Sequence, residues 1–165
     1  MTLAMKEGKC NLDAVIWLVD NISILLSFKY QSNGRNVQYT NWVKNNTEDE
    51  PNNDGNCVIH SYGFWSDEDC SNSYEVICEE LSPSEIENTV TCSSDADWFK
   101  IKDRCFYISP VKKNYEDAKD DCISKGGRLF EPKSYHANKI IYENVQDNQN
   151  IPYWIGINDI DNPGM

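Results

Sequence analysis

Apolar residues recur at helical spacing in two places in the second half of the chain. Tyr115, Ala118 and Cys122 fall on one face of a helix that would begin at Asn114, whose side chain can cap it. Ser134 would cap a second helix in the same way. The buried stripe of that second helix consists of Ala137, Ile140, Ile141 and Val145.

Short apolar runs elsewhere predict strands. Residues 57–60, 74–78 and 151–158 are such runs, whereas residues 62–70 are predicted to form a turn and loop. Residues 45–56 are rich in Asn and Asp and contain a proline and a glycine, so they predict a polar loop. Short strands mixed with two helices indicate an α+β fold.

The first 27 residues fit no clear element. Two apolar pieces, residues 14–19 and 22–26, are separated by Asp20 and Asn21. Each piece is shorter than the roughly 18 apolar residues that a membrane span needs. The segment also has no clear signal peptide, so it is left unassigned and no membrane insertion is expected.

Charge and cysteine content restrict the possible partners and the cellular compartment of the protein. A net charge of -12 disfavours nucleic acid and anionic membranes as partners. Seven cysteines in 165 residues suggest an oxidising compartment, so a secreted or extracellular protein is expected. His60 and His136 lack the spacing of zinc ligands and are expected at the surface or in turns. Neither histidine belongs to a catalytic motif, so the chain is not expected to be an enzyme.

Several motifs resemble the C-type lectin domain family. Residues 28–80, with Glu50-Pro51-Asn52, Trp65-Ser66-Asp67 and Ile77-Cys78-Glu79, resemble the C-terminal half of such a domain. Residues 92–165, with Cys105-Phe106-Tyr107 and Trp154-Ile155-Gly156, resemble the N-terminal half of another. Residues 81–91 would form a linker. The resemblance therefore implies a C-type lectin-like fold whose two halves occur in reversed order.

Two hypotheses explain the reversed order. The chain could be a slice through tandem lectin domains, or its halves could assemble as one circularly permuted domain. Each half alone would expose part of a core, so we expect them to pack together. The resemblance implies three disulfides, which are Cys57–Cys70, Cys92–Cys105 and Cys78–Cys122. The seventh cysteine, Cys10, has no partner in this set.

The same resemblance implies a calcium and carbohydrate site. Glu50 and Asn52 would lie on either side of a cis proline and bind Ca²⁺ together with Asp67. These three residues would also bind the sugar, and the Glu-Pro-Asn order goes with mannose, glucose or N-acetylglucosamine type glycans. Calcium suits such oxygen donors because it is a hard cation.

Two positions depart from the family pattern, and both departures would weaken calcium binding. Ser66 stands where an asparagine is expected, and Gly55 stands where a glutamate is expected. Asp54 is one residue away and is a candidate substitute. Asp159 and Asp161 are expected to be exposed turn residues, with an auxiliary calcium site as the alternative. A calcium-independent protein-interaction domain, or an inactive fragment of a tandem lectin, remain alternative functions.

Overall fold

The computed structural model describes residues 28–44, 49–81, 84–86, 89–94, 97–145 and 151–160. The apolar pieces of the first 27 residues, Cys10 and Asp161 lie outside these ranges. The elements within them are β1 (Lys29–Tyr30), β2 (Cys57–Ser61), β3 (Phe64–Glu68), β4 (Tyr74–Glu80), β5 (Ser84–Ile86), β6 (Thr89–Thr91), β7 (Phe99–Ile101), β8 (Arg104–Lys113), α1 (Tyr115–Ser124), β9 (Gly127–Leu129), α2 (Tyr135–Asn144) and β10 (Tyr153–Asn158).

Both predicted helices are present and begin at the predicted caps. The Asn114 side chain accepts a hydrogen bond from the backbone N–H of Asp117, and the Ser134 side chain accepts one from Ala137. In α1 the buried residues are the predicted Tyr115, Ala118 and Cys122. Of the residues described, none belongs to a helix with the length and apolar character required to span a membrane.

The main sheet interleaves strands from the two halves. Its strand order is β3-β2-β10-β4-β8-β7, with β1 paired to β10 and β9 paired to β4. Strand β10 belongs to the second half, yet it lies between β2 and β4 of the first half. It pairs antiparallel to β2 and parallel to β4. The two halves therefore share one sheet, as the packing hypothesis expects.

The core is divided between two clusters that β10 connects. Tyr153, Ile155 and Ile157 belong to the cluster that contains the buried face of α2, and Trp154 belongs to the cluster that contains α1. All four side chains are buried. Successive side chains of a strand point to opposite faces of the sheet, so both faces of β10 are covered. A single strand of the second half thus contributes to both parts of the core.

Three disulfides form in the pairs that the resemblance implies. They are Cys57–Cys70, Cys92–Cys105 and Cys78–Cys122. The Cys78–Cys122 bond joins β4 to α1, and therefore joins the two halves, across a sequence separation of 44 residues. This bond and the shared sheet match the permuted arrangement, which stays a hypothesis for the purified chain.

One local prediction was wrong. Residues 62–70 were expected to form only a turn and loop, but Phe64–Glu68 is strand β3, which pairs with all of β2. Its polar residues Ser66 to Glu68 hide the strand in the sequence, although Phe64 and Trp65 are residue types that favour strands. The predicted linker also contains a hairpin, because β5 pairs antiparallel to β6.

His60 is buried and not at the surface as predicted. Its residue exposure is 0%, and neither ring nitrogen has a hydrogen-bond partner among the described residues. His60 pairs with Trp65 on one side and Tyr153 on the other, so both flanks of its strand are covered. His136, in contrast, is exposed as predicted.

Candidate calcium site

The polar loop and β3 bring three predicted ligands together. The backbone N–H of Asn52 donates to Asp67 Oδ1 at 2.9 Å, and Asn52 Nδ2 donates to Glu50 Oε1 at 3.4 Å. The Glu50–Pro51 peptide bond is cis, as the resemblance implies. The loop is held in place where the backbone N–H of Glu50 donates to the carbonyl of Val43 at 3.0 Å. Glu50, Asn52 and Asp67 therefore form one cluster.

The two carboxylates of this cluster strongly affect each other. Burial, followed by the neighbouring Asp67 carboxylate, raises the pKa of Glu50 to about 8. Asp67 is only 3% exposed. Glu50 Oε2 is buried without a hydrogen-bond partner among the described residues. A buried acceptor beside a second carboxylate favours a cation or a proton at this position.

Loop N–H groups already donate to the Asp67 carboxylate. Gly55 N–H donates to Oδ2 at 3.2 Å, while Asn52 N–H donates to Oδ1. These two bonds fix the orientation of the carboxylate relative to the loop. Each carboxylate oxygen has a second lone pair, so these bonds leave room for a metal ion.

Gly55 also explains why one family ligand is missing. A Cβ at this position would lie 1.8 Å from the carbonyl carbon of Glu68 and 2.4 Å from the amide nitrogen of Asp69. No real side chain tolerates such distances from backbone atoms. The loop therefore approaches β3 so closely that a glutamate at position 55 is sterically excluded.

The remaining two candidate ligands are less closely connected to the cluster. Asp54 is exposed, and its backbone N–H donates to Asn52 Oδ1 at 2.8 Å. Ser66 is half-buried, and strand alternation places it on the face of β3 opposite to Asp67. Both residues stay candidate ligands, whereas Glu50, Asn52 and Asp67 are joined by hydrogen bonds.

A hard cation fits the donor set of the cluster. Glu50, Asn52 and Asp67 supply carboxylate and amide oxygens, which are the ligands that Ca²⁺ prefers. Three residues supply fewer than the six to eight oxygens that Ca²⁺ takes, so solvent or ligand hydroxyls would complete its shell. Elsewhere in the described ranges, a close group of three metal-ligand side chains occurs at Glu80, Cys92 and Cys105, but these cysteines form a disulfide.

A buried amide network supports β3, and the sequence did not reveal it. Trp65 Nε1 donates to Asn138 Oδ1 at 2.7 Å, and Asn138 Nδ2 donates to the Gly63 carbonyl at 2.7 Å. The Asn41 side chain donates to the same carbonyl at 2.6 Å. The only sequence signal was the position of Asn138 beside Ala137, inside the apolar stripe of α2.

Asp159 does not match its prediction as an exposed turn residue. Its exposure is 3%, and its backbone N–H donates to the Asn56 carbonyl at 2.9 Å. Residue 159 directly follows β10, and this bond draws it against the polar loop of the first half. Asp159 therefore lies at the junction of the two halves and not in open solvent.

Comparison with known proteins identifies the family. The profile of the family described as "Lectin C-type domain" matches residues 14–80 and 111–165, more than half of the chain. The first match begins inside the N-terminal segment that the sequence left unassigned. C-type mannose receptor 2 of Mus musculus is 25% identical over 136 residues, covering 75% of this chain and 9% of the receptor.

Shorter matches reach somewhat higher identity. A perlucin-like protein of Mytilus galloprovincialis is 30% identical over 78 residues, covering 46% of this chain and 50% of that protein. Tetranectin of Homo sapiens is 32% identical over 63 residues, covering 37% of this chain and 31% of tetranectin. No solved structure matches the chain. With its α+β fold, three disulfides and family match, the chain belongs to the C-type lectin domain family, whose members are carbohydrate-binding proteins and not enzymes.

Proposed function

We propose that this domain binds glycans of the mannose, glucose or N-acetylglucosamine type through a weak calcium site at Glu50, Asn52 and Asp67. The observation that supports it is the pairing of the Glu50 and Asp67 carboxylates through Asn52. The ion would supply a positive charge on which two neighbouring sugar hydroxyls can dock. Extracellular Ca²⁺ modules have dissociation constants of about 10⁻⁴–10⁻³ M, and with its reduced ligand set we expect this site to bind at the weak end of that range.

The three residues would have distinct roles. The Glu50 carboxylate, whose Oε2 has no hydrogen-bond partner among the described residues, would neutralise the ion and accept a hydrogen bond from a sugar hydroxyl. The Asn52 side chain is exposed and would contact both the ion and the sugar. Asp67, held by two loop N–H groups, would fix the position of the ion relative to β3.

Retention on a sugar matrix tests this function. Replacing Asn52→Ala should abolish Ca²⁺-dependent retention on mannose-agarose, because it removes an oxygen ligand and a sugar contact. Its melting temperature in EDTA should stay within about 2 °C of the wild-type value, since surface changes usually have small effects.

A matched control is Asn36→Ala, which changes another exposed asparagine, one outside the loop. This variant should be retained with Ca²⁺ and released by EDTA like the wild-type protein. The site assignment is wrong if Asn52→Ala is retained equally well. The calcium mechanism is wrong if EDTA fails to release wild-type protein, or if calorimetry detects no Ca²⁺ uptake at millimolar concentration.

A calcium-independent protein-interaction domain is the second candidate. The observation that favours it is the closure of the loop at Gly55, which excludes one of the family's carboxylate ligands. Binding of a protein partner that is unchanged by EDTA would support this function over the first.

The mannose receptor match bears on the origin of the chain. The alignment covers 75% of the chain, so it includes residues of both halves. We infer that the chain corresponds to the end of one lectin domain and the start of the next. Sequence of the parent transcript on both sides tests this directly.

A further inference from the structure

The turn that follows β1 carries a dipeptide with a known chemical reactivity. Asn33-Gly34 is the only Asn-Gly pair in the sequence, and both residues are exposed. In such a pair the backbone nitrogen of the glycine can attack the side-chain amide carbon of the asparagine. Glycine favours this attack because it has no side chain to block the approach. Whether the attack occurs in a folded protein depends on the local structure.

The turn leaves the glycine accessible. Gly34 has a φ of +63°, and a Cβ placed on it would meet no atom within 4 Å. The N–H groups of Asn33 and Gly34 both donate to the Tyr30 carbonyl, at 3.3 and 2.9 Å. Such bonds in an exposed turn are among the first to open in a native protein. The Gly34 nitrogen is therefore restrained by turn hydrogen bonds and not by tight packing around its Cα.

The Asn33 side chain is held towards the backbone that would attack it. Its Oδ1 accepts a hydrogen bond from the N–H of Arg35 at 2.9 Å, and the Gly34 peptide lies between these two residues. Negative charge develops on this oxygen when a nitrogen attacks the amide carbon. An N–H group that already points at the oxygen stabilises that charge. The turn therefore assists the reaction at Asn33.

A second dipeptide that could react by the same route is locked. Asp54-Gly55 is the only Asp-Gly pair in the sequence. Gly55 N–H donates to Asp67 Oδ2 at 3.2 Å, and a Cβ on Gly55 would lie 1.8 Å from the carbonyl carbon of Glu68. Attack by the Gly55 nitrogen would require the loop to leave β3. The structure therefore distinguishes two dipeptides that look alike in the sequence.

We propose that Asn33 is a site of spontaneous deamidation at the junction of the two halves. The Gly34 nitrogen loses its proton to solvent and forms a bond with Cγ of Asn33. The side-chain nitrogen leaves as ammonia, which gives a cyclic succinimide. Water then opens the ring at either carbonyl and produces aspartate or isoaspartate. The reaction requires no oxidant, no reductant and no enzyme, and it is independent of calcium and sugar.

The isoaspartate product would disturb contacts that join the halves. It adds one methylene to the backbone of a closed loop, in which Tyr30 N–H donates to the Arg35 carbonyl at 2.9 Å. Ser32, beside the modified residue, donates from its N–H and Oγ to the buried Glu131 at 2.7 and 2.8 Å. We expect the longer backbone to lose these Ser32 bonds. Aspartate leaves the backbone unchanged and keeps an oxygen that can accept from Arg35.

The test ages folded, oxidised protein in heavy-oxygen water at neutral pH and body temperature. Peptide mapping then measures new aspartate and isoaspartate at residues 33 and 54, and the heavy oxygen distinguishes ageing from digestion. Each rate is divided by the rate at the same residue in reduced, guanidinium-unfolded protein. Folding should slow residue 33 no more than about thirtyfold, the cost of opening the hydrogen bonds of the turn. It should slow residue 54 at least about a hundredfold, because its loop must leave β3.

Asn33→Ser is the matched control, since serine cannot form the ring but can still accept from Arg35. It should form no isoaspartate in residues 30–35 and keep its melting temperature through ageing. Deamidation at Asn33 is wrong if folded wild-type protein accumulates no product there while the unfolded protein does. Equal slowing at residues 33 and 54 would contradict the selection by the structure.

The melting temperature of the products tests the effect on the junction. The wild-type fraction with isoaspartate, separated by chromatography, should melt at least about 4 °C lower, because hydrogen bonds to a charged group are lost. Fresh Asn33→Asp protein should stay within about 2 °C of the wild-type value, because its backbone is unchanged. An isoaspartate fraction that melts like fresh wild-type protein would overturn this effect.

Discussion

Individual residues explain why the candidate site offers fewer ligands than the family pattern. Gly55 lies so close to the backbone of Glu68 that any side chain there would collide with it. Its N–H instead donates to the Asp67 carboxylate. The loop therefore gains a hydrogen bond at the position where the family pattern has a carboxylate ligand.

His60 should make the stability of the fold depend on pH. Burial lowers the pKa of His60 from 6.5 to about 4, so the unfolded chain takes up a proton at higher pH than the folded protein. The contribution of neutral His60 to the free energy of unfolding is fully present above pH 6.5 and is lost as the pH falls towards 4. Urea unfolding of wild-type protein and His60→Leu between pH 7 and pH 4, in EDTA, should show a smaller fall for the variant.

Glu50 must be separated from this effect, because its sign is opposite. Its folded pKa of about 8 lies above its ordinary value of 4.5, so the stability linked to its proton is full below pH 4.5 and is lost as the pH rises towards 8. Glu50→Gln should remove that contribution without changing the His60 contribution. His136→Gln, which replaces an exposed histidine, is the matched control. A pH profile of His60→Leu that equals the wild-type profile would contradict the role of His60.

Among the elements, α2 and the β2–β3 hairpin depend on each other through Asn138. This side chain accepts from Trp65 Nε1 and donates to Gly63, and it is 3% exposed. Trp65 in turn pairs with Trp42 across an isolated parallel bridge, two residues before Asp67. The helix thus supports the strand that carries Asp67, the buried carboxylate of the proposed calcium site.

Removing the Asn138 side chain should destabilise the fold and loosen this hairpin. Asn138→Ala leaves Trp65 Nε1 buried without its acceptor, which costs roughly 1–3 kcal/mol. Asn144→Ala, on the same helix, removes only a bond to the Ile140 carbonyl and should cost about 0.5 kcal/mol. Urea unfolding of both variants measures the difference, and equal losses would contradict the proposed support.

For the molecule as a whole, the position of β10 decides how the two halves combine. Without β10, β2 and β4 have no strand between them, and the α2 side of the core lacks Tyr153, Ile155 and Ile157. Ser32 of the first half also donates from its N–H and Oγ to Glu131 of the second, at 2.7 and 2.8 Å. Sheet, core and hydrogen bonds therefore all cross between the halves.

The Cys78–Cys122 bond should add substantially to the stability of this assembly. Closing a loop over a separation of 44 residues contributes about 4 kcal/mol in the chain-entropy estimate. The double variant Cys78→Ser, Cys122→Ser should lose most of this in urea unfolding at equal pH. Non-reducing peptide mapping checks the pairing itself, and finding both cysteines free in purified monomer would contradict the assembled domain.

Local patterns in the sequence determined both helices with their caps, three of the ten described strands (β2, β4 and β10), and the family resemblance. These features depend on residues close together in the chain, such as Asn114 with Asp117 or Ser134 with Ala137. The implied cysteine pairs also appear in the structure, although they came from the resemblance and not from spacing.

Only the tertiary structure decided the burial of His60 and Asp159, strand β3, and the exclusion of a side chain at Gly55. Each depends on contacts between residues far apart in the chain, or on how closely two backbones approach, and neither quantity appears in a local pattern of polar and apolar positions. Tyr142 of α2 likewise meets Gly63 of a distant hairpin only after folding.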